Sequence, residues 1–373
     1  MAQIRINKLV KKFGDFHAVK DLDLTIHDGE FLTLLGPSGC GKTTTLRCIA
    51  GIERQSSGDI RIGDRVVNDL PPGDRDIAMV FQFYALYPHL TAYDNIAFPL
   101  RAQKMPVPEA TERVGQAARA LQIEYLLNKR PGKLGAGEQQ RVALGRAMVR
   151  RPQVFLMDEP LTNLDAKLRT EMRMELKRLQ RELNTTMVYV THDQTEALSM
   201  SQRIAIMNQG VLQQVGTPLD VYNRPATLFV ASFIGTPPMN FVEVELARDM
   251  ASGVAGDMGQ GPSFVDSSGA FRITPTAEQH NIITGLSEDG PFTFGVRSED
   301  VSIIGLENGA LQAEVYLREP LGDEIIYDLK IGDKIVRAKV PPTLRLAIGD
   351  QVGVRCDPER THLFNRKSGQ AIF

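Results

Sequence analysis

The sequence predicts an α/β domain over residues 1–235, followed by a small all-β domain of the barrel type over residues 236–373. In the first part, apolar stretches of strand length alternate with stretches of helical periodicity, which is typical of a largely parallel sheet covered by helices. A glycine-rich turn stands between one such strand and a helix. After Gly235, the run Thr236-Pro237-Pro238 interrupts the chain, and short β-rich runs separated by Gly, Pro and Asp follow. This change indicates a second core.

The strands of the first domain are predicted from five apolar stretches. One of them alternates apolar and polar residues, and the others are continuous apolar runs, as expected of buried strands. In chain order they are residues 22–26, 31–35, 77–81, 154–157 and 187–190. A helix is predicted over residues 166–183, because five apolar side chains recur there at spacings of three or four and share one face. The β-rich runs of the second domain are 241–246, 292–296, 311–317, 324–329, 334–340 and 351–355.

Composition limits the possible classes of function. The 373-residue chain has 42% hydrophobic and 24% charged residues, which is typical of a globular protein. Its net charge of −2 gives no indication of nucleic-acid binding. The start does not resemble a secretory signal, and the charge-free run 77–93 is too short and too polar to span a bilayer. Three cysteines without metal-ligand spacing predict free thiols in a reducing compartment: Cys40, Cys48 and Cys356.

A phosphate-binding loop is predicted at Gly36-Pro-Ser-Gly-Cys-Gly-Lys-Thr43, which fits G-x-x-x-x-G-K-[ST] between a strand and a helix. Its glycines let backbone N–H groups face phosphate oxygens, and the helix start adds partial positive charge. We expect Lys42 to contact the β- and γ-phosphates and Thr43 to donate a hydroxyl oxygen to Mg²⁺. A glycine-rich turn without a ligand is the alternative. The predicted nucleotide-binding residues of this segment are Gly36, Pro37, Ser38, Gly39, Cys40, Gly41, Lys42, Thr43 and Thr44.

Two adjacent carboxylates end an apolar strand at Asp158 and Glu159. Such a strand places its carboxyl end at the ligand edge of a parallel sheet. We expect Asp158 to help hold Mg²⁺, and Glu159, which faces another way, to polarise the attacking water as a general base. The alternative is that the pair only caps the turn before Pro160. His192 follows another apolar strand and is predicted to orient the water beside the γ-phosphate, although a lone histidine is more often structural.

These motifs, in this order, resemble those of ABC-type ATPases over residues 3–235. The resemblance implies a P-loop NTPase fold with a helical subdomain, and ATP and Mg²⁺ as cofactors. It also implies that Gln82 senses both Mg²⁺ and the catalytic water, and that Asp165 lies in a loop crossing to a second subunit. Phe13 stands where the family places an aromatic ring that stacks on adenine; a place in the core is the alternative. Two subunits would enclose two ATP molecules, each between one phosphate loop and the other subunit's signature sequence.

The signature sequence is where this chain departs from the family. The family pattern is Leu-Ser-Gly-Gly-Gln at the start of a helix, whereas this chain has Leu134-Gly-Ala-Gly-Glu138. Gly135 lacks the hydroxyl that would donate to the γ-phosphate, and Glu138 places a carboxylate where an amide is usual. The backbone N–H groups at Gly135 and Gly137 remain possible phosphate ligands. We therefore expect an active ATPase with a weakened ATP sandwich, or a pairing with a different subunit whose signature is intact.

The second domain resembles the tail of importer ATPases of the maltose and glycerol-phosphate type. Three runs carry the resemblance: Gly235-Thr-Pro-Pro-Met-Asn-Phe241, Gly295-Val-Arg-Ser-Glu-Asp300 and Leu321-Gly-Asp-Glu324. It implies ATP-driven uptake of a carbohydrate or polyol and an OB-like regulatory or dimerisation domain. Importer ATPases for polyamines, sulfate or iron carry related tails, so a non-sugar solute is the alternative.

The resemblance also implies partners. We expect a second ATPase subunit, most simply an identical one, two integral membrane permease subunits and an external solute-binding protein, with the chain at the cytoplasmic face of the cell membrane. Residues 83–91 are rich in aromatic and apolar side chains and are predicted to grip a helix of the permease, although part of them packs in a core. A soluble ABC protein of translation or DNA repair is a weaker alternative, because no second ATP-binding domain is visible. No nucleic-acid partner is expected, since the β domain lacks a basic run with interleaved aromatics.

Overall fold

A computed structural model describes residues 2–247, 263–285, 291–306 and 311–373. Two compact units follow each other along the chain, Met1–Pro218 and Leu219–Phe373. The strands of the first unit are β1 (Ile4–Phe13), β2 (Phe16–Ile26), β3 (Phe31–Leu35), β4 (Ser57–Ile62), β5 (Arg65–Val66), β6 (Ile77–Val80), β7 (Val154–Asp158), β8 (Thr186–Thr191), β9 (Arg203–Asn208) and β10 (Val211–Gly216). Its helices are α1 (Lys42–Ala50), α2 (Ala92–Ala102), α3 (Val107–Ala120), α4 (Ala136–Met148), α5 (Ala166–Leu183) and α6 (Gln194–Met200).

The first unit contains two sheets. One is antiparallel, with strand order β2-β1-β4-β5. The other has the order β10-β9-β3-β8-β7-β6, and all its pairings are parallel except that of β10 with β9. Parallel strands place all their carboxyl ends at one edge, which is where ligands bind in sheets of this kind. This edge carries the segments that follow β3, β6, β7 and β8.

Burial explains why the inner strands could be recognised from their continuous apolar runs. Every residue of β3, β7 and β8 is buried, because helices or the second sheet cover both faces. Helices α2, α3 and α4 form a helical lobe between β6 and β7, and the core cluster built around Ile96, Val114 and Leu144 also includes residues of α5. The predicted α/β domain with a helical subdomain is confirmed.

The second unit is β-rich. Its strands are β11 (Asn240–Ala247), β12 (Ser263–Val265), β13 (Arg272–Ile273), β14 (Phe292–Val296), β15 (Val301–Ile304), β16 (Leu311–Pro320), β17 (Ile325–Ile331), β18 (Lys334–Val340), β19 (Gln351–Cys356) and β20 (Thr361–Asn365). Its helices are α7 (Pro218–Asn223, which begins at the junction), α8 (Leu228–Phe233) and α9 (Ala277–Thr284).

These strands form two antiparallel sheets in the described residues, β13-β12-β11-β14-β20 and β15-β19-β16-β17-β18. Alternate residues of β16 and β18 enter a shared core around Phe294, Tyr327 and Val354, which are all fully or almost fully buried. All six β-rich runs predicted from the sequence are strands, and the short strands β12, β13, β15 and β20 are additional.

Residues 219–235 belong to the second unit, so the structural boundary lies before the one predicted at residue 235. The guanidinium of Arg297 is 3% exposed and donates hydrogen bonds to the backbone oxygens of Tyr222 and Ile234. Ala231 of α8 packs with Met239 and Phe364 in a small apolar cluster. Helices α7 and α8 therefore complete the core of the β-rich unit, although the boundary predicted at Gly235 placed them with the α/β domain.

Candidate functional site

The phosphate loop lies between β3 and α1, at the carboxyl edge of the parallel sheet. Side chains are excluded at two of its glycines: a Cβ on Gly36 would lie 2.2 Å from the backbone oxygen of Met207, and one on Gly41 would lie 2.5 Å from that of Ala18. Gly41 also has φ of 107°, which disfavours any other residue. The Nζ of Lys42 is curled into the loop and donates to the backbone oxygens of Gly36 at 2.8 Å and Pro37 at 2.9 Å. Close backbone packing therefore fixes the shape of the loop, and the Lys42 ammonium group lies inside it.

Cys40 is a residue of this loop, and its small side chain packs in the interior. Its side chain is 3% exposed, and its Sγ lies 3.7 Å from the Nζ of Lys42. Burial raises the pKa of the Cys40 thiol, although Lys42 acts in the opposite direction. The thiol is therefore held in its neutral form.

Thr43 and Asp158 meet at the start of α1. The hydroxyl of Thr43 donates to Asp158 Oδ1 at 2.8 Å, across 115 positions of the sequence. Burial raises the pKa of Asp158, and the hydrogen bond from Thr43 lowers it. A hydroxyl and a carboxylate oxygen are ligands that suit Mg²⁺, a hard cation that takes oxygen donors. The residues present therefore fit the predicted metal.

Glu159 lies at the centre of a polar cluster. Its Oε2 is 3.2 Å from Nε2 of Gln82, 3.4 Å from Oγ1 of Thr162 and 3.3 Å from Nδ1 of His192. Its backbone has φ of 45°, an uncommon value for a residue other than glycine, and its N–H donates to the backbone oxygen of Val190. The chain therefore turns sharply after β7 and directs the Glu159 carboxylate at residues that follow β6 and β8. The structure brings together the three residues predicted to be catalytic, and it adds Thr162, which the sequence did not single out.

The altered signature begins α4. Gly135 is the N-cap, with extended φ and ψ of −69° and 163°, and its N–H donates to Oε2 of Glu138 at 2.9 Å. The hydroxyl of Tyr125 lies 3.4 Å from the other oxygen of that carboxylate. Glu138 therefore accepts from one of the backbone N–H groups that the sequence suggested for phosphate. Arg141 of the same helix pairs with Glu175 instead, with Nε 3.4 Å from Oε2. No pattern in the sequence marked this contact except the spacing of a capping box.

Asp165 caps the N-terminus of α5, where its Oδ1 accepts from the backbone N–H of Leu168 at 2.9 Å. It lines a pocket of about 360 Å³ together with Gly135, Gly137 and Glu138. The first residues of α4 and α5 therefore share one open surface within this chain. A Cβ on Gly137 would lie 2.5 Å from Cδ2 of Leu168, so a larger residue there would require the Leu168 side chain to move.

Phe13 lies apart from these residues, at the tip of the hairpin that joins β1 and β2. Its side chain is 46% exposed, so it is not a core residue. Nζ of Lys11 lies 4.5 Å from the centre of its ring, and it also contacts Glu53 Oε2 at 3.0 Å and the backbone oxygen of Arg54 at 2.8 Å. Lys11 thus holds the ring beside the segment that follows α1.

The segment after Gln82 is partly exposed and partly anchored. Phe83 is 76% exposed, whereas Tyr84 is buried. Tyr84 and Ala85 both have positive φ, and Arg146 of α4 donates to their two backbone oxygens. The helical lobe therefore fixes this strained turn and leaves an aromatic side chain on the surface.

The fold and this arrangement together define the class of protein. The site combines three features: a strand–glycine loop–helix unit with a buried lysine, a threonine hydrogen-bonded to a strand-end aspartate, and a glutamate at the next position. Together they form the ATP-binding site of a P-loop ATPase. Among the described residues, none of the helices combines the length and apolar character needed to cross a membrane.

Comparison with known proteins identifies the family. Residues 19–162 match the family described as ABC transporter, and residues 294–364 match the TOBE domain. The chain is 49% identical to the trehalose/maltose import ATP-binding protein MalK of Thermococcus litoralis and 45% identical to the sulfoquinovosyl glycerol transport ATP-binding protein SmoE of Agrobacterium fabrum, over all of each chain. A dimeric ATP-binding cassette solved in a post-hydrolysis state with ADP and Pi covers 58% of this chain and 98% of its own, at 32% identity and a TM-score of 0.53.

This chain therefore belongs to the ABC transporter family, and it is an ATP-binding subunit with ATPase function. The predicted ABC-type domain followed by an OB-like β domain is confirmed.

Proposed function

We propose that this chain hydrolyses Mg²⁺-ATP at the Glu159 cluster and thereby drives the uptake of a carbohydrate or polyol through membrane permease subunits. The observation that carries the proposal is the position of the Glu159 carboxylate, within 3.4 Å of Gln82, Thr162 and His192, one residue after the aspartate that receives the Thr43 hydroxyl. A base, its orienting partners and a metal-binding pair thus stand side by side at one sheet edge.

Each side chain has a defined task in this proposal. Lys42 and the loop N–H groups would bind the β- and γ-phosphates, and Thr43, Asp158 and Gln82 would hold Mg²⁺. When bound, Mg²⁺ neutralises phosphate charge. Glu159 accepts the proton of the attacking water, and His192 orients that water beside the γ-phosphate.

We infer further that two such subunits close around ATP. The support is the pocket of about 360 Å³ that Gly135, Gly137 and Asp165 line, because it brings the first residues of α4 and α5 together on one open surface. We propose an identical second subunit as the simplest partner. Phe83 and its neighbours are proposed to contact the permease, because this aromatic side chain is exposed immediately after a residue of the catalytic cluster.

The proposed solute follows from the relatives, whose names concern maltose, trehalose, xylose, arabinose, sulfoquinovosyl glycerol and glycerol phosphate. Transport is tested by deleting the gene and measuring uptake of labelled sugars and polyols, with spermidine and sulfate as comparison solutes. Wild type should restore uptake of a carbohydrate or polyol, and Glu159→Gln should not. Restored uptake of spermidine or sulfate alone would overturn the solute class.

The catalytic roles are tested on the full chain. Glu159→Gln should bind ATP normally and lose hydrolysis by about 10²–10⁴-fold, the usual cost of removing a general base. Lys42→Ala should lose affinity and hydrolysis together, since Lys42 contacts phosphate in the ground state as well as the transition state. Hydrolysis by Glu159→Gln within threefold of wild type would contradict the role of Glu159.

A further inference from the structure

We propose that Glu196 is a positioning residue for His192: it fixes the turn that carries the histidine through the hydroxyl of Thr191. The inference rests on the role proposed above for His192, and it explains a buried carboxylate that the mechanism does not use. Glu196 stands in the first turn of α6 and is 3% exposed.

The carboxylate is held by two hydroxyl groups of β8. Its Oε2 accepts from the hydroxyl of Tyr189 at 2.8 Å and from Oγ1 of Thr191 at 2.7 Å. Both donors are buried, with exposures of 0% and 1%. No ion pair to Glu196 is present among the described residues; the charged groups that influence its pKa are Asp193, which raises it, and Arg169, which lowers it. Burial raises the pKa of Glu196, while the hydrogen bonds from Thr191 and Tyr189 lower it.

A buried carboxylate without a cation is costly, and well-packed apolar residues often serve stability better. Stability alone therefore gives a weak reason for this group. The carboxylate does fix the orientation of its neighbours: it accepts hydrogen bonds from both hydroxyls and so sets the direction in which each O–H points.

The Thr191 hydroxyl connects this carboxylate to the histidine turn. While its proton is donated to Glu196, its oxygen accepts from the backbone N–H of Asp193 at 3.0 Å. Asp193 Oδ1 in turn accepts from the backbone N–H of Glu196 at 3.1 Å. Residues 191 and 193 are thus both fixed, and His192 lies between them with its Nδ1 3.3 Å from Glu159 Oε2.

Arg169 of α5 supports the same turn from the other side. Its Nη1 lies 3.5 Å from Asp193 Oδ2, and its Nη2 donates to the backbone oxygen of Leu164 at 3.1 Å. The turn with His192 is therefore attached to the segment that ends at Asp165. If Glu196 orients this turn, loss of the acceptor oxygen Oε2 displaces the histidine without changing any atom that touches nucleotide.

The test compares full-length variants in steady-state ATP hydrolysis. Glu196→Leu and Thr191→Val should each lower kcat by about 10- to 100-fold, the effect expected of an ångström-scale misplacement, because each removes the hydrogen bond between residues 191 and 196. KM for ATP should stay within twofold of wild type, and Thr191→Ser should restore kcat because it retains the hydroxyl. Glu30→Leu is the matched control: it also removes a buried carboxylate, 6% exposed, but at the opposite end of β3.

A double-mutant cycle separates positioning from general destabilisation. In a His192→Ala background, Glu196→Leu should lower kcat no further, because residues that act as one unit are not additive. An equal loss in both backgrounds, or an unchanged kcat in Glu196→Leu, would overturn the inference. Unchanged hydrolysis by His192→Ala would overturn the proposed role of His192 and this inference with it. If Glu196→Leu does not fold, as judged by thermal melting, the pair Thr191→Val and Thr191→Ser decides the question.

Discussion

Replacing Gly135 by serine should tighten the ATP-dependent pairing of this protein. The site accepts the change: its φ of −69° and ψ of 163° are extended values that serine adopts freely, and a Cβ there would meet only Glu138 Oε2, at 3.9 Å. As an N-cap, serine is better than glycine by only a few tenths of a kcal/mol, so the fold should change little in stability. The added hydroxyl would stand at the open surface that lines the pocket with Asp165.

The magnitude follows from one hydrogen bond to a charged group, about 1.5–3 kcal/mol for each ATP site. Since about 1.4 kcal/mol corresponds to a factor of ten, one restored site should tighten association about 10- to 100-fold. A homodimer carries the change at both sites, so about 10²- to 10⁴-fold is expected there. The size of the gain therefore distinguishes an identical partner from a different one.

Glu138 limits this gain, because its carboxylate already accepts the Gly135 N–H and would also attract the new hydroxyl. Glu138→Gln combined with Gly135→Ser should therefore exceed the single change. Glu124→Gln, an exposed carboxylate in the same lobe, serves as the charge control.

The assay is sedimentation equilibrium with Mg²⁺-ATP in a Glu159→Gln background, which preserves bound ATP. An association constant within threefold of the parent would refute the reasoning. The backbone N–H groups that remain at the start of α4 would then be sufficient for closure.

Three further predictions concern other parts of the chain. Phe13→Ala should weaken ATP binding by about 1–3 kcal/mol if the exposed ring stacks on adenine, by analogy with base–aromatic stacking; unchanged affinity in calorimetry would contradict stacking. A fragment of residues 1–218 should melt cooperatively, whereas 1–235 should aggregate, because Ala231 and Ile234, both 0% exposed, lose their partners in the second unit; equal behaviour of the two fragments in light scattering would argue against this boundary. Burial lowers the pKa of His362 from 6.5 to about 4, so the unfolded chain binds the proton more readily and stability falls as pH drops through this range. The loss should reach about 3 kcal/mol by pH 4 and be absent in His362→Gln, as measured by urea unfolding.

Much of the fold could be predicted because its central strands are buried on both faces and therefore read as continuous apolar runs. The runs at 31–35 and 154–157 are observed as β3 and β7. The short strands β12 and β13 were missed, because two or three residues are too few for the alternation of apolar and polar residues to be recognised. The boundary was predicted from the run Thr236-Pro237-Pro238 after Gly235, whereas the compact units divide between Pro218 and Leu219, because packing decides which core α7 and α8 join.

The phosphate loop and the paired carboxylates were predictable because each is a short run whose residues must be neighbours in sequence to act together. Thr162 and Glu196 were not marked as functional, and the contact between the Glu138 carboxylate and the Gly135 N–H was not predicted. Each is an ordinary polar residue whose contact depends on a specific local geometry, although the spacing from Asp193 to Glu196 does fit a helix start.

The sequence by itself determined the class of protein, the nucleotide loop and the residue types available for hydrolysis, because these are properties of contiguous motifs. Only the tertiary structure decided which of those residues meet. Gln82 and Glu159 are 77 positions apart, and they come within 3.2 Å because β6 and β7 are parallel neighbours that end at one edge. Likewise, the Glu196 carboxylate reaches Thr191 only because α6 folds back on β8. Motifs specify chemistry locally, whereas strand order and burial set the distances across which that chemistry acts.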